Sequence, residues 1–300
     1  MSLLKHLTAN KLLACLICSN VWVGSFAQVT KTAQLKVATW NIWHGGRENG
    51  DSLGPGQVAD LLQFSGADII ALQETYGSGN YLAGQLRYNF HPRDTNVSIL
   101  SRYPVLADIS VLEPFHCAGA LIELPGGNKI AFYSIWLSYD KDIWLPNCRD
   151  TLTVPDLLAA TNSSAWQADS LLAAVSNRLK NLSYPEVPVI IAGDFNTMSH
   201  LDYNIAALPQ YKFVVNWPAS SLFLQKGYSD AYRQKNPVVN RLKDRTWSPR
   251  FADQEQDRID FIYYKGKSLL LKNAGITDSY TGLFPSDHAM VWAQFELLNP

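Results

Sequence analysis

The hydrophobic positions of this 300-residue chain fall into short apolar runs that end in glycine, amide or acidic residues. The clearest run begins at Val187 (VPVIIAGDFN) and passes through Gly193 to Asp194 and Asn196. A short run rich in β-branched residues is typical of a strand that is buried on both faces. Residues two apart on an extended backbone point to the same side, so Asp194 and Asn196 are predicted to address one ligand together. Both residue types are also frequent in ordinary turns, and the pair alone does not exclude that interpretation.

Further elements follow from the same pattern. Apolar runs predict strands over residues 35–41, 68–72, 96–101, 120–124, 129–137, 258–264 and 289–297. Apolar residues at helical spacing predict one helix that ends at Gly66 and another that begins with a capping box at Ser164 and Gln167. Shorter helices are predicted over residues 79–88 and 200–208, and residues 138–163 and 234–256 are predicted to be long loops. This mixture of strands and helices indicates an α/β or α+β fold.

The first 27 residues differ from the rest of the chain. Lys5, His6 and Lys11 precede an apolar run without acids that ends in small residues at Ala27. This pattern predicts a secretory signal peptide over residues 1–27, a single domain over residues 28–300, and a secreted or periplasmic protein. A membrane anchor is the alternative, but the run is shorter than the ~20 residues that span a bilayer. We therefore expect a monomer without a stable membrane anchor.

Charge and cysteine content refine this picture. Removal of the signal, with its two lysines and no acid, changes the formal charge from −1 to −3. That balance argues mildly against a partner of long polymeric nucleic acid. Only Cys117 and Cys148 remain after residue 27. In an exported protein, two cysteines suggest one disulfide bond, and two free thiols are the alternative.

Six motifs then occur in a fixed order along the chain. They are KVATWNIWHGG (36–46), DIIALQE (68–74), NVSILSRYPV (96–105), GDFN (193–196), DRIDFIYY (257–264) and SDHAMVWAQF (286–295). Each motif is weak alone, but the ordered set resembles the endonuclease/exonuclease/phosphatase superfamily, the metal-dependent phosphoesterases related to pancreatic deoxyribonuclease and bacterial sphingomyelinase. The resemblance covers residues 35–297. It implies a four-layer α/β sandwich in which two stacked mixed β-sheets are flanked by helices.

The resemblance also implies a metal site. By similarity to the family, Glu74 is the first metal ligand, Asn41 contacts the metal or the phosphate, and Asp287 lies near the metal. Carboxylate and amide oxygens are the ligands that suit Mg²⁺, which takes one or two carboxylates and keeps several waters. The expected cofactor is therefore Mg²⁺ or Mn²⁺.

Four further residues receive catalytic roles from the same resemblance. Asp194 is expected to orient or deprotonate the attacking water, and Asn196 to hydrogen-bond the phosphate. His288 is expected to stabilise charge on the phosphate oxygens, and Asp260 to hold the His288 imidazole in position. The sequence departs from the family at Trp136, which stands where many members have a histidine.

Candidate substrate contacts are Trp136 and two histidines near the motifs, His44 and His116; a purely structural role is the alternative for each histidine. The sequence favours an exported phosphodiesterase whose partner is a phosphoester substrate, such as nucleic acid or a smaller phosphodiester. A sphingomyelinase-like lipid phosphodiesterase or a phosphomonoesterase is the second possibility. A secreted binding protein that has lost turnover is the third.

Overall fold

The architecture comes from a computed structural model that describes residues 33–298. The signal peptide predicted for residues 1–27 lies outside this range. Among the residues described, no helix combines the length and the apolar character needed to cross a membrane.

Twelve strands are present in residues 33–298, and they form two six-stranded sheets. The strands are β1 (Ala33–Asn41), β2 (Ile69–Gln73), β3 (Asn89–Arg93), β4 (Val97–Ser101), β5 (Val105–Asp108), β6 (Cys117–Glu123), β7 (Lys129–Trp136), β8 (Val189–Asp194), β9 (Ser229–Asp230), β10 (Asp260–Lys265), β11 (Leu269–Thr277) and β12 (Met290–Leu297). The first sheet has the order β11-β12-β1-β2-β4-β3 and the second β5-β6-β7-β8-β10-β9. Both sheets are mixed, since β1–β2 and β7–β8 are parallel and the other pairs are antiparallel.

The helices connect and cover these sheets. They are α1 (Trp43–Gly46), α2 (Leu53–Ser65), α3 (Gly79–Leu86), α4 (Val154–Ala160), α5 (Asn162–Asn181), α6 (Leu208–Tyr211), α7 (Pro218–Gln225) and α8 (Ala231–Lys235). Short 3-10 turns occur at Arg47–Asn49, Pro125–Gly127 and Ile205–Ala207.

Hydrophobic residues divide the molecule into layers. One core, which includes Val37, Ile99, Phe132 and Ile262, contains side chains from both sheets and therefore lies between them. A second core joins the outer face of the second sheet to α5 and α7, and a third joins the outer face of the first sheet to α2 and α3. The predicted four-layer α/β sandwich with two stacked mixed sheets is confirmed. Strands this apolar are expected when both faces of a sheet are covered.

Most of the elements predicted from apolar periodicity are present, and the differences have local causes. The predicted loop 138–163 contains α4. This helix begins with a capping box that the sequence analysis did not predict, formed by Thr153 and Asp156. The capping box predicted at Ser164 is wrong: α5 already begins at Asn162, and the Ser164 hydroxyl donates to the Ser138 carbonyl. The helix predicted over residues 200–208 is also wrong, because this stretch consists of turns that lead into the 3-10 turn and α6.

The predicted disulfide is contradicted, since Cys117 and Cys148 are both free. Cys117 begins β6 and is fully buried in the core beneath α5. The segment that carries Cys148 does not return along β6. It packs instead against a separate cluster that includes Tyr203 and Trp217.

Candidate active site

The polar ends of several strands meet at one edge of the two sheets. Asn41 ends β1, and Glu74 directly follows the neighbouring parallel strand β2. Asp194 ends β8 and lies opposite Asp260, the first residue of β10. His288 lies two residues before β12, which pairs with β1. The topology therefore brings together five of the predicted site residues, although they are far apart in sequence.

Asn41 connects the two halves of this site. Its Nδ2 donates to Glu74 Oε1 at 3.1 Å and to Asp194 Oδ2 at 3.1 Å. The same nitrogen lies 3.5 Å from His288 Nε2. One buried amide thus links the first sheet, which carries Glu74, to the second sheet, which carries Asp194.

His288 and Asp260 form a buried dyad. Nδ1 of His288 donates to Asp260 Oδ2 at 2.9 Å, and Nε2 faces Asp194 Oδ2 at 3.8 Å. The backbone is held as well, because Trp40 Nε1 donates to the His288 carbonyl at 2.7 Å. Burial acts to lower the pKa of His288, but the charges of Asp260 and Asp194 outweigh it and hold that pKa well above its usual value. The imidazole therefore carries a proton that it can share with an anion.

Asp194 is buried at the end of β8, and this burial raises its pKa to about 7 against the opposing charge of His288. A carboxylate with such a pKa can accept a proton near neutral pH. Its position depends on Gly193, where an added Cβ would lie 2.0 Å from the Ile135 carbonyl oxygen. Glycine thus lets β8 approach β7 closely just before the acid.

Asn196 lies beside Asp194, but not as the extended pattern predicts. β8 ends at Asp194, and Asn196 has a left-handed backbone with φ of 48°. Its backbone N–H donates to Asp194 Oδ1 at 2.9 Å, and its Nδ2 donates to the Leu137 carbonyl at 2.8 Å. The extended backbone assumed for this residue is therefore wrong, whereas the proximity of the two side chains is found.

Each polar atom of Glu74 has a protein partner. Its N–H donates to Asn96 Oδ1 at 2.8 Å, and its carbonyl accepts from Gly45 N–H at 2.7 Å. Its Oε1 accepts from Asn41, and its Oε2 accepts from the His44 backbone N–H at 3.0 Å. The carboxylate is thus held in one orientation while its side chain remains 17% exposed. Such a group is prepared to receive a further ligand.

A divalent cation fits the donor set at this edge. Asp287 is buried, and burial together with the Glu74 charge raises its pKa to about 6. Ligand atoms of Asp194, Asp260 and His288 lie within 4.8 Å of one another. Asp260 Oδ1 is buried without a hydrogen-bond partner in the described part of the chain. So many acids close together would repel one another, and a cation would relieve that repulsion.

The predicted substrate residues lie on two sides of this centre. Trp136 ends β7 opposite Asp194, and its ring stacks on His116 with centroids 5.8 Å apart. His116 Nδ1 donates to the Trp136 carbonyl at 2.9 Å. His44 lies on the Glu74 side, where its ring is 59% exposed. The structure therefore keeps Trp136 and His116 together and separates His44 from them.

Two site neighbours were missed because they lie in the predicted loop 234–256. Thr246 Oγ1 accepts from the N–H groups of Ile259 and Asp260 at 2.9 and 3.1 Å. Trp247 meets the His288 ring edge-on with centroids 5.0 Å apart. These contacts hold the dyad from outside the sheets. A loop without periodicity gives no sequence signal for them.

A buried ionic cluster behind the site was also missed. Arg149, Tyr203 and Trp144 all donate to the carboxylate of Asp257. Asp257 directly precedes Arg258, which pairs with other acids of the same region. Those acids are Asp202 and Asp230. Asp230 therefore belongs to this structural cluster.

A two-sheet α/β sandwich with a buried acid–histidine site at one edge defines the class of phosphoester-hydrolysing enzymes to which the motifs pointed. Residues 38–288 match the family model described as "Endonuclease/Exonuclease/phosphatase family". The chain belongs to this family.

Individual relatives agree with that assignment. An uncharacterized protein from Caenorhabditis elegans is 27% identical over 296 residues, which covers 88% of this chain and 92% of the relative. The endonuclease/exonuclease/phosphatase from Bacteroides vulgatus has a similar structure, with a TM-score of 0.63, 18% identity, and coverage of 89% of this chain and 100% of that one. Truncated TDP2 from Caenorhabditis elegans gives a TM-score of 0.61 at 17% identity and covers 88% and 98% of the two chains. At these identities the structural likenesses show the fold.

Proposed function

We propose that this chain is an exported, Mg²⁺- or Mn²⁺-dependent phosphodiesterase that acts as a monomer on nucleic acid or a smaller phosphodiester. The observation that carries the proposal is the position of Asn41 Nδ2, 3.1 Å from Glu74 Oε1 and 3.1 Å from Asp194 Oδ2. It places a group able to hold a cation next to a group able to accept a proton. Hydrolysis of a phosphoester needs both at once.

In the proposed reaction, water attacks phosphorus, the bond from phosphorus to the leaving oxygen breaks, and the leaving oxygen takes up a proton from solvent. Asp194 takes a proton from the water, a role that its pKa of about 7 supports. His288 donates a hydrogen bond to the phosphate oxygens, and Asp260 keeps its ring in place through Nδ1. Asn196 donates to the Leu137 carbonyl and thereby fixes the backbone that follows β8, next to Asp194. Glu74 with Asn41 and Asp287 would hold the cation, which when bound would neutralise phosphate charge.

A nucleic-acid substrate is favoured by two observations. One structural neighbour, D. rerio TDP2, was solved in complex with a single strand DNA product. Aromatic side chains border the site here: Trp136 stacks on His116 on one side, and Trp43 packs against Phe251 on the other. Such rings can stack on unpaired bases irrespective of sequence. The formal charge of −3 expected after export favours short substrates over long duplexes.

A substrate screen tests the proposal. Purified protein without residues 1–27, supplied with Mg²⁺ or Mn²⁺, is incubated with single-stranded DNA, duplex DNA, RNA, sphingomyelin and simple phosphate mono- and diesters. We expect turnover of a diester and its loss with a chelator. Preferential turnover of sphingomyelin or of monoesters would replace the proposed substrate, and turnover of none would favour a non-catalytic binding protein. Export is tested separately by finding the mature protein, cleaved after Ala27, outside the cytoplasm.

A further inference from the structure

The His44 side chain is held between two carboxylates. Its Nδ1 lies 2.7 Å from Glu48 Oε1, and its Nε2 lies 3.9 Å from Glu74 Oε2. The ring also stacks against Tyr76 and packs against Trp43, with centroids 6.2 and 6.0 Å away. Although the side chain is largely exposed, four neighbours therefore determine where its second nitrogen points. That nitrogen points to the carboxylate predicted to hold the cation.

The backbone under His44 is unusual and supports this placement. Trp43, His44, Gly45 and Gly46 all have positive φ angles, of 52°, 50°, 72° and 73°. Left-handed backbone costs about 1–2 kcal/mol for each residue that is not glycine. Ser78 holds the turn by donating to the Gly45 carbonyl at 2.7 Å. Strain of this kind collects at functional sites.

The turn has one visible result at Glu74. It places the backbone N–H of His44 on Glu74 Oε2 at 3.0 Å and the ring of the same residue beside the same oxygen. A straighter path after β1 would lose both contacts. The strained turn is therefore what brings both groups of His44 to Glu74.

We propose that Nε2 of His44 is a direct ligand of the divalent cation held by Glu74. Glu48 accepts the proton on Nδ1, and in the neutral imidazole this leaves the lone pair on Nε2, the nitrogen that faces Glu74 Oε2. Metal-binding histidines usually donate their other N–H to a carboxylate in this way. An ion about 2.1 Å from each atom fits between them after a small shift of the ring.

This inference deepens the proposed function, since it rests on Glu74 as a metal ligand, and it makes a statement about which metal is bound. An imidazole ligand favours first-row transition metals, with affinity rising from Mn²⁺ to Co²⁺, whereas Mg²⁺ prefers oxygen ligands and water. A centre built from Glu74 and His44 therefore prefers Mn²⁺ or Co²⁺ to Mg²⁺.

A structural ion pair is the competing explanation. In that case His44 carries protons on both nitrogens and serves as a cation between Glu48 and Glu74, with no metal bound to it. The two explanations predict opposite changes in metal affinity when His44 is removed. Removal of a ligand weakens metal binding, whereas removal of a competing cation strengthens it.

Calorimetric titration with Mn²⁺ and Mg²⁺ separates these explanations in the full-length mature protein. We expect His44→Ala to weaken Mn²⁺ binding by about 10–100-fold and Glu48→Gln to weaken it in the same direction. Mg²⁺ affinity should change by less than about threefold, because Mg²⁺ relies on carboxylate and water. His91→Gln is the matched control, since it removes an imidazole on β3 that contacts the Gly119 carbonyl of β6. An increase of Mn²⁺ affinity in His44→Ala would overturn the proposal.

Pulsed electron paramagnetic resonance of bound Mn²⁺ provides a direct second readout. We expect a ¹⁴N coupling in the wild type that is lost in His44→Ala and kept in His288→Ala. A coupling lost only in His288→Ala would assign the nitrogen to His288 and contradict the inference. Glu74→Gln tests the premise: if it binds Mn²⁺ as tightly as the wild type, the proposed metal site itself is wrong. Loss of binding in Glu74→Gln with unchanged coupling in His44→Ala rejects only the His44 ligand.

Discussion

Asn41 shows how much of the chemistry depends on single contacts. One amide nitrogen serves Glu74 and Asp194, which belong to different sheets. A carboxylate at this position could not donate to either acid and would add a further negative charge. The residue type is therefore set by the need for a neutral donor between two acids, and this need is invisible until both sheets are in place.

At the same scale, Asp194 and His288 make the most direct test of the mechanism. Asp194→Asn keeps the shape but removes the proton acceptor, and His288→Ala removes a donor at the phosphate. General-base and electrostatic groups each contribute about 10²–10⁴-fold in rate, so each variant should lose that much turnover. Steady-state rates measure the loss, and circular dichroism confirms the fold. A folded Asp194→Asn enzyme within about tenfold of wild type would contradict the assignment.

Among the elements, the β7–β8 pair tolerates little added volume. An added Cβ on Gly193 would lie 2.0 Å from the Ile135 carbonyl oxygen, within the parallel pairing of these strands. We expect Gly193→Ala to destabilise the protein by more than about 3 kcal/mol, because the backbone of β7 must move. Urea unfolding measures this change. Gly84→Ala in α3 is the control: nothing lies within 4 Å of its added Cβ, and we expect stabilisation by about 0.5–1 kcal/mol.

The segment between β7 and α5 depends on one buried ion pair. Arg149 donates to Asp257, and both side chains are buried. Removal of one partner from a buried pair costs about 3–5 kcal/mol, so Arg149→Met should lower the free energy of unfolding by that amount. The control is Lys212→Met, which breaks an exposed pair with Asp150 and should change stability by less than about 1 kcal/mol. Equal effects of the two substitutions in urea unfolding would show that the Arg149 pair is not an anchor.

The elements also show where sequence patterns stop being informative. Strands such as β2 and β8 are apolar throughout and stand out in the sequence. β3, β5 and β11 contain exposed residues and lie at or next to sheet edges, so their apolar signal is weak. The capping box was predicted for α5 but is found in α4. Thr153–Asp156 and Ser164–Gln167 have similar local patterns, and only packing decides which of the two forms a capping box.

For the whole molecule, the free cysteines give a simple test. Cys117 is fully buried, and burial raises its pKa to about 12, whereas Cys148 is half-buried. In native protein we expect a thiol reagent to modify Cys148 slowly and Cys117 not at all. Both thiols should react after denaturation without a reductant. Mass spectrometry counts the adducts, and a denatured chain that takes up none would restore the disulfide.

Net charge makes a second prediction at this scale. The formal charge of −3 expected after removal of residues 1–27 leaves no excess of cations over acids to release counterions from nucleic acid. Each phosphate contact contributes a slope of about −0.9 to the dependence of log affinity on log salt, so we expect a slope shallower than about −5 for duplex DNA. Binding measured between low and physiological salt decides this. A steeper slope would reveal a strongly basic groove.

From the sequence, only those residues of the candidate site that lie within a family motif could be predicted. Family motifs indicated Glu74, Asp194 and His288, and the structure brings these three together. Thr246, Trp247 and Asp257 carry no local signal, because their role comes from contacts with residues that are distant along the chain. Trp247 is 41 residues from His288, yet the two pair as an isolated β-bridge. Positioning by non-local contacts is the part that one sequence does not reveal.

The pairing of the first strand with the last has a consequence for the timing of folding. β1 lies between β2 and β12, and Trp40 reaches the His288 carbonyl across 248 positions of the chain. Contacts of such long range form late, because the loop between them must close first. A growing chain lacks His288 and β12, one of the two strands that pair with β1, until residues 288–297 have been synthesised. If the protein is exported before it folds, its candidate site is therefore not yet assembled inside the cell that makes it.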